Sequence, residues 1–474
     1  MLRRGPAMRA RAELALACAG SFMVILDATI VSVALPDIRS ALGFTPATLP
    51  WAVNAYTLVF AGLLLLGGRL ADAYGRRATF VLGMAVFTVA RLAGGLATTA
   101  TLLLTARAVQ GLGAALLMPV TLALVTTTFT EPDRRARALA VWSAVGAAGA
   151  ALGPVLGGLL IELGGWRWVF LVTVPVGVAA IVAATILLPH RPKDGARRRL
   201  DVTGALIGTL GLSGLVYALM RAPTGGWTDA GTLTPLTGGL ALLVLFVVHQ
   251  ARWAREPLMS PDVFRTRSVG SGNVVMFLLG LGFFASPVLL SLYLQDVHGY
   301  SPLMAGLAYL PLGLAMFAGA NSAGALSVRL GVRRTTVWCC ALGAAGLGGV
   351  AALAGVAGSS VLWLLLPGIV FGFGSAAAFT PVTVAATSGV PARHHGLAAG
   401  LLNTIRQVSG AIGLAILSTI AATATGGRSA GTAASGHGYV LAFAVSACCL
   451  LAAAAAAASL LPPDGHGGDP GTAP

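Results

Sequence analysis

GGRLADAYGRR, Gly67 to Arg77, is answered much later in the chain by GALSVRLGVRR, Gly324 to Arg334. Gly68 matches Gly324, Leu70 matches Leu326 and Gly75 matches Gly331. Each stretch follows the second apolar run of a set of six, so the chain reads as two related halves. Working outward from the pair, apolar runs of about 20 residues, the length a bilayer-spanning helix needs, fall near 14–35, 51–71, 78–98, 101–124, 137–161 and 167–188. A second set falls near 270–294, 302–327, 335–356, 360–382, 396–421 and 438–461. Two more, 203–220 and 232–250, lie between the sets, giving fourteen arranged as six, two and six.

Composition supports a chain solvated by lipid. Of 474 residues, 57% are hydrophobic and only 9% charged, with a mean hydropathy of +0.86. A soluble domain carries about 25% charged residues. The net charge of +15 raises the question of nucleic acid, but the arginines sit in short clusters between apolar runs and form no continuous basic face, so no nucleic-acid partner is expected. Cys18, Cys339, Cys340, Cys448 and Cys449 all fall inside apolar runs and read as small packing residues. His394 and His395, in a loop, need no metal to explain them, and no metal or cofactor is expected.

The cationic loops alternate. One side receives the N-terminal arginines, Arg76 and Arg77, Arg134, Arg135 and Arg137, Arg191 to Arg199 with Lys193 (the single lysine), Arg252 to Arg267, Arg329 to Arg334, and Arg393; the other receives Arg39, Arg167, Arg221 and Arg428. Inside-positive loops put both termini in the cytoplasm. Omitting one of the two middle spans would invert every later loop, whereas omitting both preserves the pattern; twelve spans with a hydrophobic linker is thus the competitor to fourteen. The expected divisions are a cytoplasmic N-terminus (1–13), a six-helix bundle (14–188), a basic loop with two linker helices (189–269), a second six-helix bundle (270–461) and a disordered cytoplasmic tail (462–474). Arg3, Arg4, Arg9 and Arg11 ahead of an apolar run resemble a signal peptide, and the LALACAGS stretch resembles a lipoprotein cleavage site. The run continues to Leu35, long enough to span, and is expected to stay as an uncleaved first helix ended by Pro36.

Four segments carry chemistry. In Gly67–Arg77, the glycines permit tight turning, and Asp72, Arg76 and Arg77 offer charges that can pair across helix ends and release. In GAAGAALGPVLGGLL, Gly146 to Leu160, the residues Gly149, Gly153, Gly157 and Gly158 allow close helix approach and Pro154 removes a backbone donor. TARAVQGLGAALLMP places Arg107 and Gln110 inside the fourth span, where an arginine must be paired or line a wet cavity, the alternative being to snorkel to the outer headgroups. ILDATIVSVALPDI, Ile25 to Ile38, sets Asp27 inside the first, at a cost of roughly 2.5 to 3.5 kcal/mol on insertion scales.

Counted inward from their outer ends, Asp27 lies roughly 12 Å deep and Arg107 roughly 9 Å, at about 1.5 Å per residue, level enough to share a cavity. Arg91, in the third span, has no motif around it and is read as facing an outer vestibule. Glu162 is read as a solvated end group, and Asp296 as lying in an outer loop. Trp51, Tyr56, Phe283, Phe284, Tyr293 and Phe379 are cavity-lining candidates, although membrane-interface positions are commoner for aromatic residues.

Gly67–Arg77 resembles the loop signature of the major facilitator superfamily, G-x-L-A-D-x-x-G-R-R, which implies a conformational latch formed by Gly68, Asp72, Gly75, Arg76 and Arg77. The Gly149–Gly158 pattern is similar to the antiporter motif of its proton-coupled exporters, and Arg107 with Gln110 and Gly111 to their R-x-x-Q-G element, which implies proton handling by Arg107. L-D-x-T-I-V-x-V-A-L-P in the first span resembles the fourteen-helix drug and proton antiporters of the EmrB/QacA type, with Ser32 where they typically have Asn. GLLNTIRQVSGAIG, Gly400 to Gly413, is similar to their N-x-x-R-Q element and adds Asn403, Arg406 and Gln407 to Asp27 and Gln110 as substrate-cavity candidates. Unlike some members, the chain has no acidic residue deep in its later spans, and Arg406 is the lone formal charge near mid-membrane there.

The resulting expectation is an all-α polytopic protein of the major facilitator fold. It is no enzyme: no phosphate-binding G-x-x-x-x-G-K-[ST] loop is present, so a proton gradient supplies the energy. Asp27 and Arg107 would couple protons to export of hydrophobic or cationic drugs and antibiotics across the plasma membrane, the chain acting as a monomer. A carrier for a metabolite such as an amino acid, sugar or siderophore, or a non-transporting sensor, are the other readings.

Overall fold

The computed structural model describes residues 6–45, 48–129, 131–188, 201–254, 267–355, 361–387, 395–424 and 432–463. The helices of the first half are α1 (Pro6–Leu42), α2 (Trp51–Tyr74), α3 (Arg76–Gly95), α4 (Ala100–Thr128), α5 (Pro132–Gly164), α6 (Arg167–Leu171) and α7 (Val174–Leu187). The middle pair is α8 (Val202–Gly225) and α9 (Ala230–Val248), the latter continuing into a π-helical turn, His249–Trp253. The second half holds α10 (Arg267–Asp296), α11 (Pro302–Leu330), α12 (Val332–Ala354), α13 (Val361–Thr387), α14 (His395–Ala424) and α15 (Thr432–Leu460). Thirteen helical stretches among the described residues are long and apolar enough to cross a membrane, and α2 contributes the shorter apolar stretch Trp51–Leu64. This is a multi-pass membrane protein, compatible with fourteen crossings.

The start of α1 and the end of α15 lie at one end of the bundle, here the terminal end. The opposite, far end is marked by Arg39 near the end of α1, Asp296 closing α10 and Tyr439 early in α15, which meet one another. The loops Arg3–Arg4, Arg191–Arg199 with Lys193 and Arg393–His394, the Arg428 loop and the tail from 464 lie outside the described residues, as does the side chain of His395.

Both halves turn between their second and third helices on the matching glycines. Gly75 closes α2 at φ +88°, ψ 145° and Gly331 closes α11 at φ +87°, ψ 160°. Each donates its N–H back four residues, to the Ala71 and Ser327 carbonyls, both at 3.0 Å. An added methyl would meet nothing within 4 Å at Gly75, so backbone conformation rather than space demands glycine; this region of φ and ψ is essentially closed to other residues. Gly75→Ala and Gly331→Ala are each expected to cost about 1 to 3 kcal/mol, additively because α2 and α3 make no substantial packing with α11 and α12. Thermal unfolding of the single and double variants in detergent checks this.

Two elements differ from the sequence reading. Pro36 does not end α1, which runs on to Leu42; losing one backbone donor is tolerated where the next turn, carrying Arg39, is anchored to Asp296 at 2.9 Å. The expected span 167–188 is one crossing in two pieces, α6 and α7, interrupted at Val172 and Thr173 with Pro175 in the first turn of α7. The two middle spans pack on each other as an antiparallel pair, and α8 lies against α2 and α14. Asp201 ties their terminal ends, accepting from the Gly204 N–H at 2.8 Å and Gln250 at 2.5 Å and meeting His249 at 2.9 Å. Burial alone would raise that carboxyl's pKa, but these hydrogen bonds hold it below the ordinary aspartate value.

The halves meet chiefly through α5 on α11 and α2 on α14. The glycine-rich stretch of α5 has two faces. Gly149, Gly153 and Gly157 pack on α1, where methyls would press on Phe22, Thr29 and Ile30, and Thr29 Oγ1 bonds the Gly149 carbonyl at 3.4 Å. Pro154 and Gly158 face α11 instead: Gly306 sits against the Pro154 carbonyl and Gly158 against Pro302 and Leu303. Small residues at these points let backbones touch, the usual source of tight helix association in lipid. Three polar contacts join the halves at the far end: Arg39 with Asp296, Gln295 with the Val33 carbonyl at 3.2 Å, and Ser301 with Glu162 at 2.7 Å. Glu162 and Asp296 are thus cross-half partners as well as end groups.

Candidate functional site: a buried carboxylate between two arginines

Asp27 is fully buried, and each of its carboxylate oxygens is held by a different arginine. Arg107 Nη1 donates to Oδ2 at 2.5 Å and to Gln110 Oε1 at 2.9 Å, while its Nε donates to the Ala52 carbonyl of α2 at 2.8 Å. The guanidinium lies over the Tyr56 ring, 4.5 Å from its centre, a favourable cation–π placement. Arg91 Nη1 takes Oδ1; its Nε donates to the Phe170 carbonyl at 3.2 Å and its Nη2 to the Val169 carbonyl. Both arginines are 1% exposed or less. Arg91 therefore lines no outer vestibule.

The local sequence explains the second arginine's seat. α6 is only five residues long, so its last carbonyls lack the partners a continuous helix would supply and carry partial negative charge. Arg91 satisfies two of them and reaches Asp27 with its remaining arm. In this way α1, α2, α3, α4 and α6 are joined through one carboxylate. The group carries one formal negative and two positive charges. Removing a single member of such a buried set leaves uncompensated charge, which costs far more than an exposed pair would.

Other candidates from the sequence lie elsewhere. Gln110, 1% exposed, is on Arg107. With both Asp27 oxygens engaged and no surface exposed, no substrate group reaches Asp27 or Gln110 in this conformation. Asn403, Arg406 and Gln407 are partly exposed on α14. Ser32 bonds the Thr29 carbonyl of its own helix at 2.6 Å. Of the latch residues, Arg76 donates to Thr127 Oγ1 of α4 and Arg77 to the Thr185 carbonyl of α7 at 2.6 Å, both within the first half. A methyl on Gly68 would sit 3.7 Å from the Pro119 side chain, an ordinary contact; Asp72 is at the end of α2 with its side chain outside the described residues. Phe283, Phe284 and Phe379 form one cluster with centres 5.0 to 5.8 Å apart. Trp51 packs near Tyr217, and Tyr293 joins Tyr439, His298 and Phe443 at the far end. A cleft of about 330 Å³ lies there too, lined by Leu35, Arg39, Pro50, Leu292, Asp296 and Tyr439. It is apart from Asp27.

Residues 17–414 match the sequence pattern of the Major Facilitator Superfamily. The cephamycin export protein CmcT of Amycolatopsis lactamdurans is 42% identical over 89% of this chain and 87% of its own length. The puromycin resistance protein pur8 of Streptomyces alboniger is 39% identical over 93% of this chain and 89% of its own. Among solved structures, a bacterial homologue of the human lysosomal transporter Spinster superposes with a TM-score of 0.66 at 16% identity, covering 95% of this chain and 96% of that one. The auto-inhibited peptide transporter of the POT family gives the same TM-score and identity over 94% and 97%. With its duplicated halves, its glycine turns and a match over most of its length, the chain belongs to the major facilitator superfamily.

Proposed function

We propose that the chain is a proton-driven exporter of hydrophobic small molecules, antibiotics among them, acting as a monomer in the plasma membrane with both termini in the cytoplasm. The observation that carries this reading is the carboxylate Asp27, shared by Arg91 and Arg107 inside the membrane-spanning region. Its relatives' names, cephamycin export and puromycin resistance, agree with it. The cytoplasmic side is assigned by charge: Arg76, Arg77, Arg134, Arg135, Arg329 and Arg333 stand at the terminal end, against Arg39, Arg167 and Arg221 at the far end.

On this reading the conformation described is shut toward the outside. The far end is joined by Arg39–Asp296 and the α5–α11 seam, while on the cytoplasmic stretch of α11 Asn321, Ala325 and Val328 are exposed. Asp27 acts through its partners rather than by touching substrate. Ionised, it binds α1 to α3 and α4. Protonated from outside after the far end opens, it releases one guanidinium, loosens α1 against α5 and resets the halves. Substrate leaves in the outward state and the proton leaves in the inward one. Among the described residues no buried carboxylate other than Asp27 lies deep in a span, and its oxygens are occupied, so a cationic substrate has no counter-charge there to meet.

Inverted membrane vesicles test the reading. In vesicles with an acidified lumen, adding a transported antibiotic is expected to alkalinise the lumen as the drug accumulates, and collapsing the gradient is expected to stop accumulation. Gradient-independent equilibration would instead identify a facilitative carrier, and absence of flux a non-transporting protein. Arg39→Ala, which removes the outer ion pair, is expected to leave folding intact and shift the population toward the outward-open form; a faster reaction of a cysteine introduced at Leu292, in the outer cleft, with a membrane-impermeant thiol reagent reads this.

A further inference from the structure

We infer that Arg406 and the phenylalanine cluster beside it form the substrate-recognition site, and that the substrate it takes carries an anionic acid group on an aromatic or otherwise apolar body. The inference rests on the export reading for its setting and specifies the chemistry of the cargo.

Charge is the first argument. The Asp27 group carries a net positive charge with every carboxylate oxygen engaged. Arg406 adds a second excess cation near the middle of α14, about 16 Å from that helix's start at 1.5 Å per residue. Among the described residues no carboxylate pairs with it, and its Nε has no hydrogen-bond partner. An arginine in the membrane interior is retained against a substantial insertion cost only where something pairs with it or it lines a wet cavity. Arg107 and Arg91 meet that condition through Asp27; Arg406 has no such partner among the described residues and is partly exposed, so its guanidinium is open to an anion entering from the accessible side.

Position is the second. Arg406, Gly410 and Gly413 share one face of α14, at spacings of four and three residues. On that face Gly410 packs on the Phe284 ring and Gly413 on Leu281 of α10, and the Arg406 carbonyl lies beside Gly280. Phe284 contacts Phe283 and Phe379, and all three rings are partly exposed. A free guanidinium one turn from an apolar aromatic wall matches an amphiphilic acid: the carboxylate takes paired N–H donors from the arginine and the body packs on the rings. The coupling carboxylate lies in the other half, so proton and acid act on each other through helix packing and not by direct competition.

The full-length protein in detergent tests this with cefoxitin, a cephamycin monoanion, its uncharged methyl ester, and the lipophilic cation ethidium, using calorimetric titration. The acid is expected to bind at least about tenfold more tightly than the ester, the scale of a charge-assisted pair, and ethidium to bind more weakly than either. Arg406→Gln is expected to abolish the difference between acid and ester while melting at the wild-type temperature or above, since it removes a partly exposed charge that no carboxylate among the described residues pairs with. Arg406→Lys should keep part of it, and Phe283→Ala should weaken acid and ester alike. Equal affinity for acid and ester in the wild type, no binding of the acid, or discrimination that survives Arg406→Gln would overturn the inference. Acid binding without gradient-driven accumulation would defeat the export reading alone, whereas gradient-driven export of ethidium with no acid binding would defeat this inference alone.

Discussion

Asp27→Asn is expected to abolish gradient-driven accumulation altogether. On the proposed mechanism the substitution removes the group that carries the exchanged proton, and with one proton exchanged a pH difference of one unit supports about a tenfold accumulation, all of which should vanish. It also leaves Arg91 and Arg107 facing each other without a counter-charge, and breaking a buried pair from one side costs about 3 to 5 kcal/mol. A simple loss of activity would therefore confuse coupling with folding. The double variant Asp27→Asn, Arg91→Gln separates them. It restores the net charge of the group and keeps Arg107 on the Ala52 carbonyl and Gln110, so it should recover most of the lost thermal stability and expression. Accumulation against a gradient should stay absent. If the double variant pumped drug uphill, the proton would have to travel by another group.

Gly158→Val is expected to block the cycle at a different point. A methyl here would overlap the Pro302 carbonyl oxygen and lie 2.6 Å from Leu303 Cα, both backbone atoms that cannot swing aside. The halves can accommodate the larger side chain only by parting at the far end, which favours the outward-open form. Spin labels at Leu163 and Met304, both exposed near that end, in a background with the five cysteines replaced, should move several ångströms apart, and transport should fall at least about a hundredfold as the inward state is depopulated by about 3 kcal/mol or more. Gly157→Ala is the control. Its methyl would sit 2.9 Å from the Ile30 carbonyl oxygen of α1, inside one half, so it should cost stability without changing the label distance. An unchanged distance in Gly158→Val with full transport would remove the seam from the mechanism.

Much of the architecture was legible because lipid imposes strong rules on sequence. Apolar run length and alternating arginine loops place the helices, and the repeated Gly75 and Gly331 mark two turns that the structure builds with the same backbone angles. The pairing of Asp27 with Arg107 was approachable by depth alone. The same arithmetic reaches Arg91, which lies about seven residues inside the outer end of its expected span, or roughly 10 Å; motif matching passed it over because nothing around it repeats a known pattern. What depth cannot supply is rotation about the helix axis, and so which side chains face Asp27. The break between α6 and α7 was hidden for a related reason: Pro175 is compatible with a continuous first turn, and only the structure shows that Arg91 takes up the Phe170 and Val169 carbonyls before it. Pro36 misled in the opposite direction, because the anchor that sustains α1 beyond it, Asp296, is 257 residues distant from Arg39.

The central claim is that Asp27 carries the exchanged proton, and proton release on substrate binding tests it most directly. Antiport requires substrate and proton to weaken each other's binding, and by linkage the effect is reciprocal. Adding a transported antibiotic to purified protein in weakly buffered detergent solution, with a pH-indicating dye present, should therefore release protons from the wild type. The Asp27→Asn, Arg91→Gln protein, shown to bind the same antibiotic by calorimetry, should release none. Undiminished proton release from that variant would contradict the account.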